Sequence, residues 1–504
     1  MRYLPNGKQM SEADAHTIHK IGIPSLVLME RAALQIVETM HKKNISTEKS
    51  LIVCGSGNNG GDGFAVARLL TEQGKHADVL FAGKEASLSE ECRCQKQIVE
   101  NMGISVFTEF PDEEYTVIID AVFGVGLCRE ITGHYKDVID WMNLQDTEKV
   151  AVIPSGICAA TGEILGTAFR ADLTVCMACV KLGCELFPGK SYAGESIPVA
   201  IGIDPNYFSN RLDVCYTFDK NELGKLLPAR MMNSHKGSYG KVLMITGSPG
   251  MAGAAFLSAC AAYTVGAGLV QIDTASENRL ALQELLPEAI ISCYDSYDDN
   301  QLSRLLDWAD VVCIGCGLGM GQISEKILKN VLKNVSCPCV IDADGLNLLN
   351  GKIELLNQCR APVILTPHMK EMSRLTGWSI DKIMEDRFQA LDQIIKQSEP
   401  DTKSSIICVL KDSRTVVAQT NRQKFVNLAG NNSMAKGGSG DVLAGTIAGL
   451  LAQHMAPFEA AAVGVFLHAC GGDEAKKSKG SYSVLARDLI QGMADAMKNA
   501  KECR

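Results

Sequence analysis

Leu51-Ile-Val-Cys-Gly-Ser-Gly-Asn-Asn-Gly-Gly-Asp-Gly63 is the stretch that decides the fold. Four consecutive apolar residues without polar alternation read as a strand buried on both faces. The glycine-dense turn that follows leads into a helix from about Asp62. Strand, glycine turn and helix together open a parallel α/β sheet. The glycines also let backbone N–H groups face an anion at the helix N-terminus. Downstream, strand-like runs recur at Asp78–Phe81, Thr116–Asp120, Val150–Ile153 and Leu173–Cys176. Amphipathic stretches lie between them, which predicts a parallel sheet covered on both faces. Upstream, Ser11–Lys42 reads as helical, broken around Gly22-Ile-Pro24, because proline cannot continue a helix.

The same rhythm restarts after a break. Ile203–Gly240 loses the alternation and carries Asp204-Pro205-Asn206 and the polar, basic stretch Arg230–Lys236. Lys241–Thr246 then reads as a strand, Gly247-Ser-Pro-Gly250 as a turn and Ala252–Gly266 as a helix of small residues. Further strands are predicted at Leu269–Thr274, Val311–Gly315, Cys339–Asp342, Val363–Thr366, Ile406–Lys411 and Thr415–Ala418. Helical runs at Gly440–His454, Phe458–Lys476 and Val484–Asn499 close the chain. The expectation is an α/β protein of two domains, residues 1–219 and 220–504, each a three-layer αβα sandwich.

Composition narrows the function classes. With 504 residues, one core would be unusually large. The net charge of −9 and the lack of a long basic run argue against a nucleic-acid partner. Met1–Lys20 has no apolar segment behind a basic start, and no apolar run reaches the roughly 20 residues a membrane span needs. A cytoplasmic protein without a membrane partner is expected. Nineteen cysteines are scattered through apolar runs, so Cys176/Cys179 and Cys313/Cys316 read as reduced core thiols rather than a zinc ribbon.

Two constellations carry chemistry. In the first half, the Gly55–Gly63 loop brings Asn58, Asn59 and Asp62 to the carboxyl end of a strand, where open α/β sheets bind ligands. Asp120, leading into Phe123-Gly-Val-Gly-Leu127, and Ser155 of Pro154-Ser-Gly156 should reach the same edge. Asn59, Asp120 and Ser155 offer oxygens suited to a hard cation. Each alone could be a turn or capping residue, but three converging strand ends favour a binding site.

The second half holds the stronger signal, Asn431-Asn-Ser-Met-Ala-Lys-Gly-Gly-Ser-Gly-Asp441, directly ahead of a helix. Its glycine density exceeds what a helix cap needs. It frees successive N–H groups for a phosphoryl oxygen, and the helix dipole reinforces that anion hole. Asp441 is then placed to take a proton from an attacking hydroxyl, which is the chemistry of phosphoryl transfer. The loop is not a Walker A motif. Gly315-Cys-Gly-Leu-Gly319, Asp342-Ala-Asp344, Thr366-Pro-His368 and Lys411 with Thr415 should line the same sheet edge.

The first half resembles the NAD(P)H-hydrate epimerase domain. The resemblance covers about residues 1–215 and rests on five segments. They are Met29-Glu-Arg-Ala-Ala33, the Gly55–Gly63 loop, Asp120-Ala-Val-Phe-Gly-Val-Gly126, Pro154-Ser-Gly156 and Lys181-Leu-Gly183. The resemblance implies a Rossmann-like fold that interconverts the R and S epimers of hydrated NADH or NADPH. It implies that Asn58, Asn59, Gly60, Gly61 and Asp62 contact that substrate. The same holds for Gly124, Val125, Gly126, Leu127, Cys128, Arg129, Glu130 and the residue at position 152. It also implies potassium (K+) at Asn59, Asp120 and Ser155. One departure stands out: where the family has Asp-Ile-Pro-Ser-Gly, this chain has Val152-Ile-Pro-Ser-Gly. Valine can neither accept a hydrogen bond nor move a proton, so weak epimerisation with retained ligand binding is expected.

The second half resembles the ribokinase-like superfamily and, within it, the ADP-dependent NAD(P)H-hydrate dehydratases. The match covers about residues 225–500. It rests on His235-Lys-Gly237, Gly247-Ser248, Gly253-Ala-Ala255, Pro287-Glu288, Asp342-Ala-Asp344, Thr366-Pro-His368 and Lys436–Asp441. The resemblance implies a dehydratase in which Ala254 or Ala255, Gly317, His368 and Asp441 contact hydrated NADH or NADPH. Lys411, Asp412, Ser413, Arg414, Thr415 and Gly440 would contact ADP, with Mg2+ on the phosphates. Asp412 stands where the family usually has glycine. A homo-oligomer is expected. The alternative is a small-molecule kinase of the same superfamily carrying a non-catalytic dinucleotide-binding domain.

Overall fold

The computed structural model describes residues 1–397 and 405–502, and its backbone divides into two compact units, Arg2–Cys215 and Tyr216 onward. No described helix is long and apolar enough to cross a membrane, and the described cysteines are free thiols.

In the first unit seven parallel strands form one sheet. In spatial order they are Val106–Phe107, His76–Phe81, Lys49–Cys54, Val117–Ala121, Glu148–Ala151, Leu173–Met177 and Glu195–Val199. The apolar runs are continuous because both faces are covered. Ile52 and Cys54 belong to one buried cluster with Phe64, Ile36 and Val99. Leu51 and Val53 belong to another with Val138, Ile139 and Met142. The strand order reverses between Lys49–Cys54 and Val117–Ala121, which pair directly. That is the switch point at which a doubly wound sheet opens a crevice beyond its strand ends.

The helix after the glycine turn runs Asn58–Glu72, so it begins four residues before Asp62, and much of the glycine motif is its first turn. The N-terminal helical region splits as the sequence suggests. Gly7–His16 is capped by Asn6 and followed by a turn of π-helix, and Ser25–Lys42 starts after Pro24. The edge strand Glu195–Val199 is not evident from the sequence, because it is half-exposed and carries Pro198, which only an edge tolerates.

In the second unit the parallel strands Ile290–Tyr294, Leu269–Ala275, Lys241–Ile245, Val311–Ile314, Cys339–Ile341, Val363–Leu365 and Ile406–Leu410 lie side by side. Val416–Gln419 and Phe425–Val426 then continue the sheet antiparallel, and Tyr216 pairs with Phe425. Here too the order reverses at the first strand, between Lys241–Ile245 and Val311–Ile314. The helix Ala252–Thr264 is mostly small residues, and this allows a close crossing with the glycine-bearing helix Ser439–Ala452. A Cβ added at Gly445 would lie 1.9 Å from the Ser258 carbonyl oxygen. That crossing sets the N-terminus of Ser439–Ala452 among the strand ends. Ile290–Tyr294 escapes the sequence pattern because it is an edge strand without a fully buried residue.

Candidate active sites

At the first unit's switch point lies a cavity of about 710 Å³. Its walls include Asn58, Asn59, Asp62, Gly124, Val125, Gly126, Leu127, Cys128, Arg129 and Val152, all singled out from sequence. Gly60 and Gly61 are buried in the first helical turn, and Glu130 sits beside Gly166, outside the cavity lining. Sequence reasoning missed Asp14, which reaches the cavity from the helix Gly7–His16, far from every glycine motif. Lys181 also lines it. The lysine is buried, and its Nζ donates to the carbonyls of Met177 (2.7 Å) and Cys179 (3.0 Å).

Asn59, Asp120 and Ser155 do come together. The fully buried Asp120 carboxylate accepts from the Ser155 hydroxyl (2.7 Å), the Ser155 N–H (2.6 Å) and the Val122 N–H (3.1 Å). The Phe123 N–H donates to Ser155 Oγ (2.9 Å), and Asn59 Nδ2 donates to the Phe123 carbonyl (3.0 Å). Burial pushes the Asp120 carboxyl up to about 6 despite those donors. The group is all-oxygen, holds a buried carboxylate short of positive charge, and so fits a hard cation. Val152, three residues before Ser155, is 8% exposed and shares an apolar cluster with Val150 and Met177.

In the second unit the strand ends converge as the motifs suggest. Lys411 Nζ donates to Asp342 Oδ1 at 2.6 Å, and Thr366 Oγ1 donates to the same oxygen at 2.8 Å. The Lys411 N–H donates to the Pro367 carbonyl at 2.8 Å, tying the Thr366–His368 segment to the lysine. A Cβ at Gly440 would lie 3.2 Å from Lys411 Nζ and 3.5 Å from Asp342 Oδ2, so the glycine loop rests directly on this ion pair. Gly438, at φ +92°, makes the left-handed turn that starts the helix. A Cβ at Gly317 would be 2.9 Å from Ala254 Cβ, so these two predicted contacts are neighbours. Lys411–Thr415 forms the hairpin turn between Ile406–Leu410 and Val416–Gln419.

Asp441 stands in the first turn of Ser439–Ala452. Its ligand oxygen, one from Asp342 and the Cys316 sulfur all lie within 4.8 Å of one another. Burial, followed by repulsion from Asp342, pushes the Asp441 carboxyl up to about 7; the Cys316 thiol and Lys411 pull the other way. His368 caps the helix Met369–Thr376. Its Nδ1 accepts from the N–H groups of Lys370 (3.1 Å) and Glu371 (3.2 Å), which leaves the ring proton on Nε2. Burial and Lys411 lower its pKa, favouring the neutral ring.

Two further residues lay beyond sequence reasoning. His468, buried and pushed down to about 4, lies 3.4 Å from Ser439 Oγ of the glycine loop. Arg387, 2% exposed, has Asp412 Oδ2 at 3.7 Å as its only ionic partner among the described residues. Neither lies in a motif, and no local spacing signals them.

Similarity to known proteins agrees with this division. Residues 25–183 match the family described as YjeF-related protein N-terminus. Residues 242–494 match the family described as NAD(P)H-hydrate dehydratase. The bifunctional NAD(P)H-hydrate repair enzyme of Coxiella burnetii is 36% identical over 97% of this chain and 98% of its own length. That of Moorella thermoacetica is 34% identical over 99% and 97%. A solved ADP/ATP-dependent NAD(P)H-hydrate dehydratase from Bacillus subtilis, co-crystallised with ATP and Mg2+, aligns with TM-score 0.50 and 27% identity. It covers 58% of this chain and 99% of that one. These relatives favour the repair reading over the small-molecule kinase. With both of its halves accounted for, the chain belongs to the bifunctional NAD(P)H-hydrate repair enzymes, which join an epimerase domain to a dehydratase domain.

Proposed function

We propose that Asp441 is the general base of an ADP-driven dehydration of S-configured hydrated NADH or NADPH. The observation that carries this is the Asp441 carboxyl, raised to about 7, beside the Asp342–Lys411 pair and under a glycine loop. The substrate's hydroxyl sits on the ring carbon next to the ring nitrogen, and hydroxide leaves poorly. Asp441 takes the hydroxyl proton while that oxygen attacks the terminal phosphoryl group of ADP, releasing AMP. The ring nitrogen's lone pair then expels phosphate, and loss of a proton from the neighbouring carbon restores the dihydropyridine. The loop N–H groups and the helix N-terminus bind the phosphoryl oxygens. Lys411, Asp412, Ser413, Arg414, Thr415 and Gly440 hold the nucleotide, and Ala254, Gly317 and His368 hold the dinucleotide.

Mg2+ fits this donor set through carboxylate and phosphate oxygens; the Cys316 thiol is too soft to be a ligand for it. Asp342 would hold it, and when bound it neutralises charge on the phosphates. In the N-terminal domain, Asn59, Asp120 and Ser155 would hold K+, whose charge would balance the buried Asp120 carboxylate. Epimerisation by this domain is slower than it would be with a carboxylate at position 152.

Purified S epimer, incubated with the enzyme, Mg2+ and ADP, should regain NADH absorbance with one AMP and one phosphate per NADH formed. Without nucleotide the absorbance should stay flat. Accumulation of a stable phosphorylated product instead of phosphate would identify a kinase and overturn the proposal.

A further inference from the structure

Position 152 in the N-terminal cavity is valine, which cannot move a proton, so an epimerase here needs a carboxylate from elsewhere in the cavity. Taking this domain as an epimerase, we propose that Asp14 is the catalytic residue that takes and returns the substrate's hydroxyl proton. It approaches from the helix Gly7–His16 and lines the same cavity as Val152.

Two other ionisable groups here, Asp120 and Lys181, are held by hydrogen bonds. Asp120 is fully buried and bound by Ser155 and Val122. Lys181 spends its protons on the Met177 and Cys179 carbonyls. Asp62 also lines the cavity, but burial and the neighbouring Asp14 push its carboxyl well above the usual range, which disfavours its ionised form. Asp14 is half-buried, and its carboxyl has no hydrogen-bond or salt-bridge partner among the described residues. Burial and Glu91 raise it, while Lys181 draws it back toward the ionised form. An unpaired carboxylate facing a cavity is free to accept a proton.

The step balances without a co-reactant. The Asp14 carboxylate takes the hydroxyl proton as the bond between the ring nitrogen and the hydroxyl-bearing carbon breaks. The bonding pair moves onto the nitrogen, where the conjugated carboxamide delocalises it, and the carbon becomes an aldehyde. Rotation about the adjacent carbon–carbon bond presents the aldehyde's other face. The nitrogen re-adds, and Asp14 returns the proton to the oxygen, leaving the opposite epimer.

The full-length chain supplies its own assay. Given purified R epimer and ADP, the return of NADH absorbance reads epimerisation; given S epimer, it reads dehydration alone. Asp14→Asn should lower kcat for the R epimer by a factor of roughly 10² or more, with KM changed less than about threefold and S-epimer turnover unchanged. Asp14→Glu should keep part of the activity. Asp14→Asn combined with Val152→Asp should recover it, because a carboxylate is restored to the same cavity. R-epimer turnover by Asp14→Asn at the unmodified rate would overturn the assignment. So would a parallel rise in KM in both Asp14→Asn and Asp14→Glu with no recovery by Val152→Asp, which would make Asp14 structural. If the unmodified chain converts the R epimer no faster than the enzyme-free control, the epimerase reading itself fails, and the assignment fails with it.

Discussion

Asp441 and Val152 are opposite cases of what one side chain does to a site. At Asp441 the surroundings disfavour charge, since burial and Asp342 outweigh Cys316 and Lys411, and the carboxyl titrates near 7 rather than near 4. A base works only when ionised, so dehydration should rise with pH through about 7 and level off above it. The check is the pH dependence of S-epimer turnover at saturating Mg2+ and ADP. Asp441→Asn should lower that turnover by a factor of roughly 10² or more and abolish the rise, with ADP affinity nearly unchanged. Turnover near the unmodified level would place the base elsewhere. Val152 is simply apolar and packs with Val150 and Met177. Val152→Asp should speed epimerisation of the R epimer over the unmodified chain, measured against the enzyme-free rate; no gain would show that a carboxylate at 152 is dispensable here. Asp441 and the Asn59, Asp120 and Ser155 oxygens were legible because each sits in or beside a glycine turn at a strand end. Asp14, Arg387 and His468 were not, because their meaning comes only from what the fold brings beside them.

Among elements, the helix Ser439–Ala452 has the most to lose. It must present its N-terminus to the Asp342–Lys411 pair, and it gets there by crossing Ala252–Thr264 with almost no side chain between them. In an isolated helix, glycine to alanine would favour helix by about 1 kcal/mol. At Gly445 the added Cβ would instead meet the Ser258 carbonyl oxygen at 1.9 Å, a backbone atom that cannot rotate away. Gly445→Ala should therefore destabilise by roughly 1–3 kcal/mol and displace the phosphate loop, lowering both melting temperature and dehydration. An unchanged melting temperature would refute the close crossing. The same logic separates legible elements from hidden ones. Central strands such as Val311–Ile314 and Ile406–Leu410 are apolar runs because sheet and helices bury both faces. The edge strands Ile290–Tyr294 and Glu195–Val199 are half-solvated and lose that signature.

At the scale of the whole chain, each unit builds its own core. One buried cluster draws on residues from Leu223 to Ala496, and the other two lie within Met10–Val214. Each unit also has its own sheet reversal and its own site, so the dehydratase half should fold and work alone. Where the chain is cut decides how well. A cut at residue 220 follows the loss of sequence rhythm, but Tyr216 and Phe218 lie ahead of it. Their rings pack on Phe425, at centroid distances of 5.6 and 4.8 Å, and Phe218 also meets Phe466 at 5.6 Å. Tyr216 further pairs with Phe425 as a strand. Removing two half-buried aromatics should cost roughly 3 kcal/mol, which corresponds to a fall of roughly 5–10 °C in melting temperature. A fragment beginning at Cys215 should thus dehydrate the S epimer at the full-length rate and melt above one beginning at Lys220. Equal melting temperatures would mean that the two rings contribute nothing to the second core. An inactive fragment beside an active full-length chain would mean that the dehydratase depends on residues before Cys215.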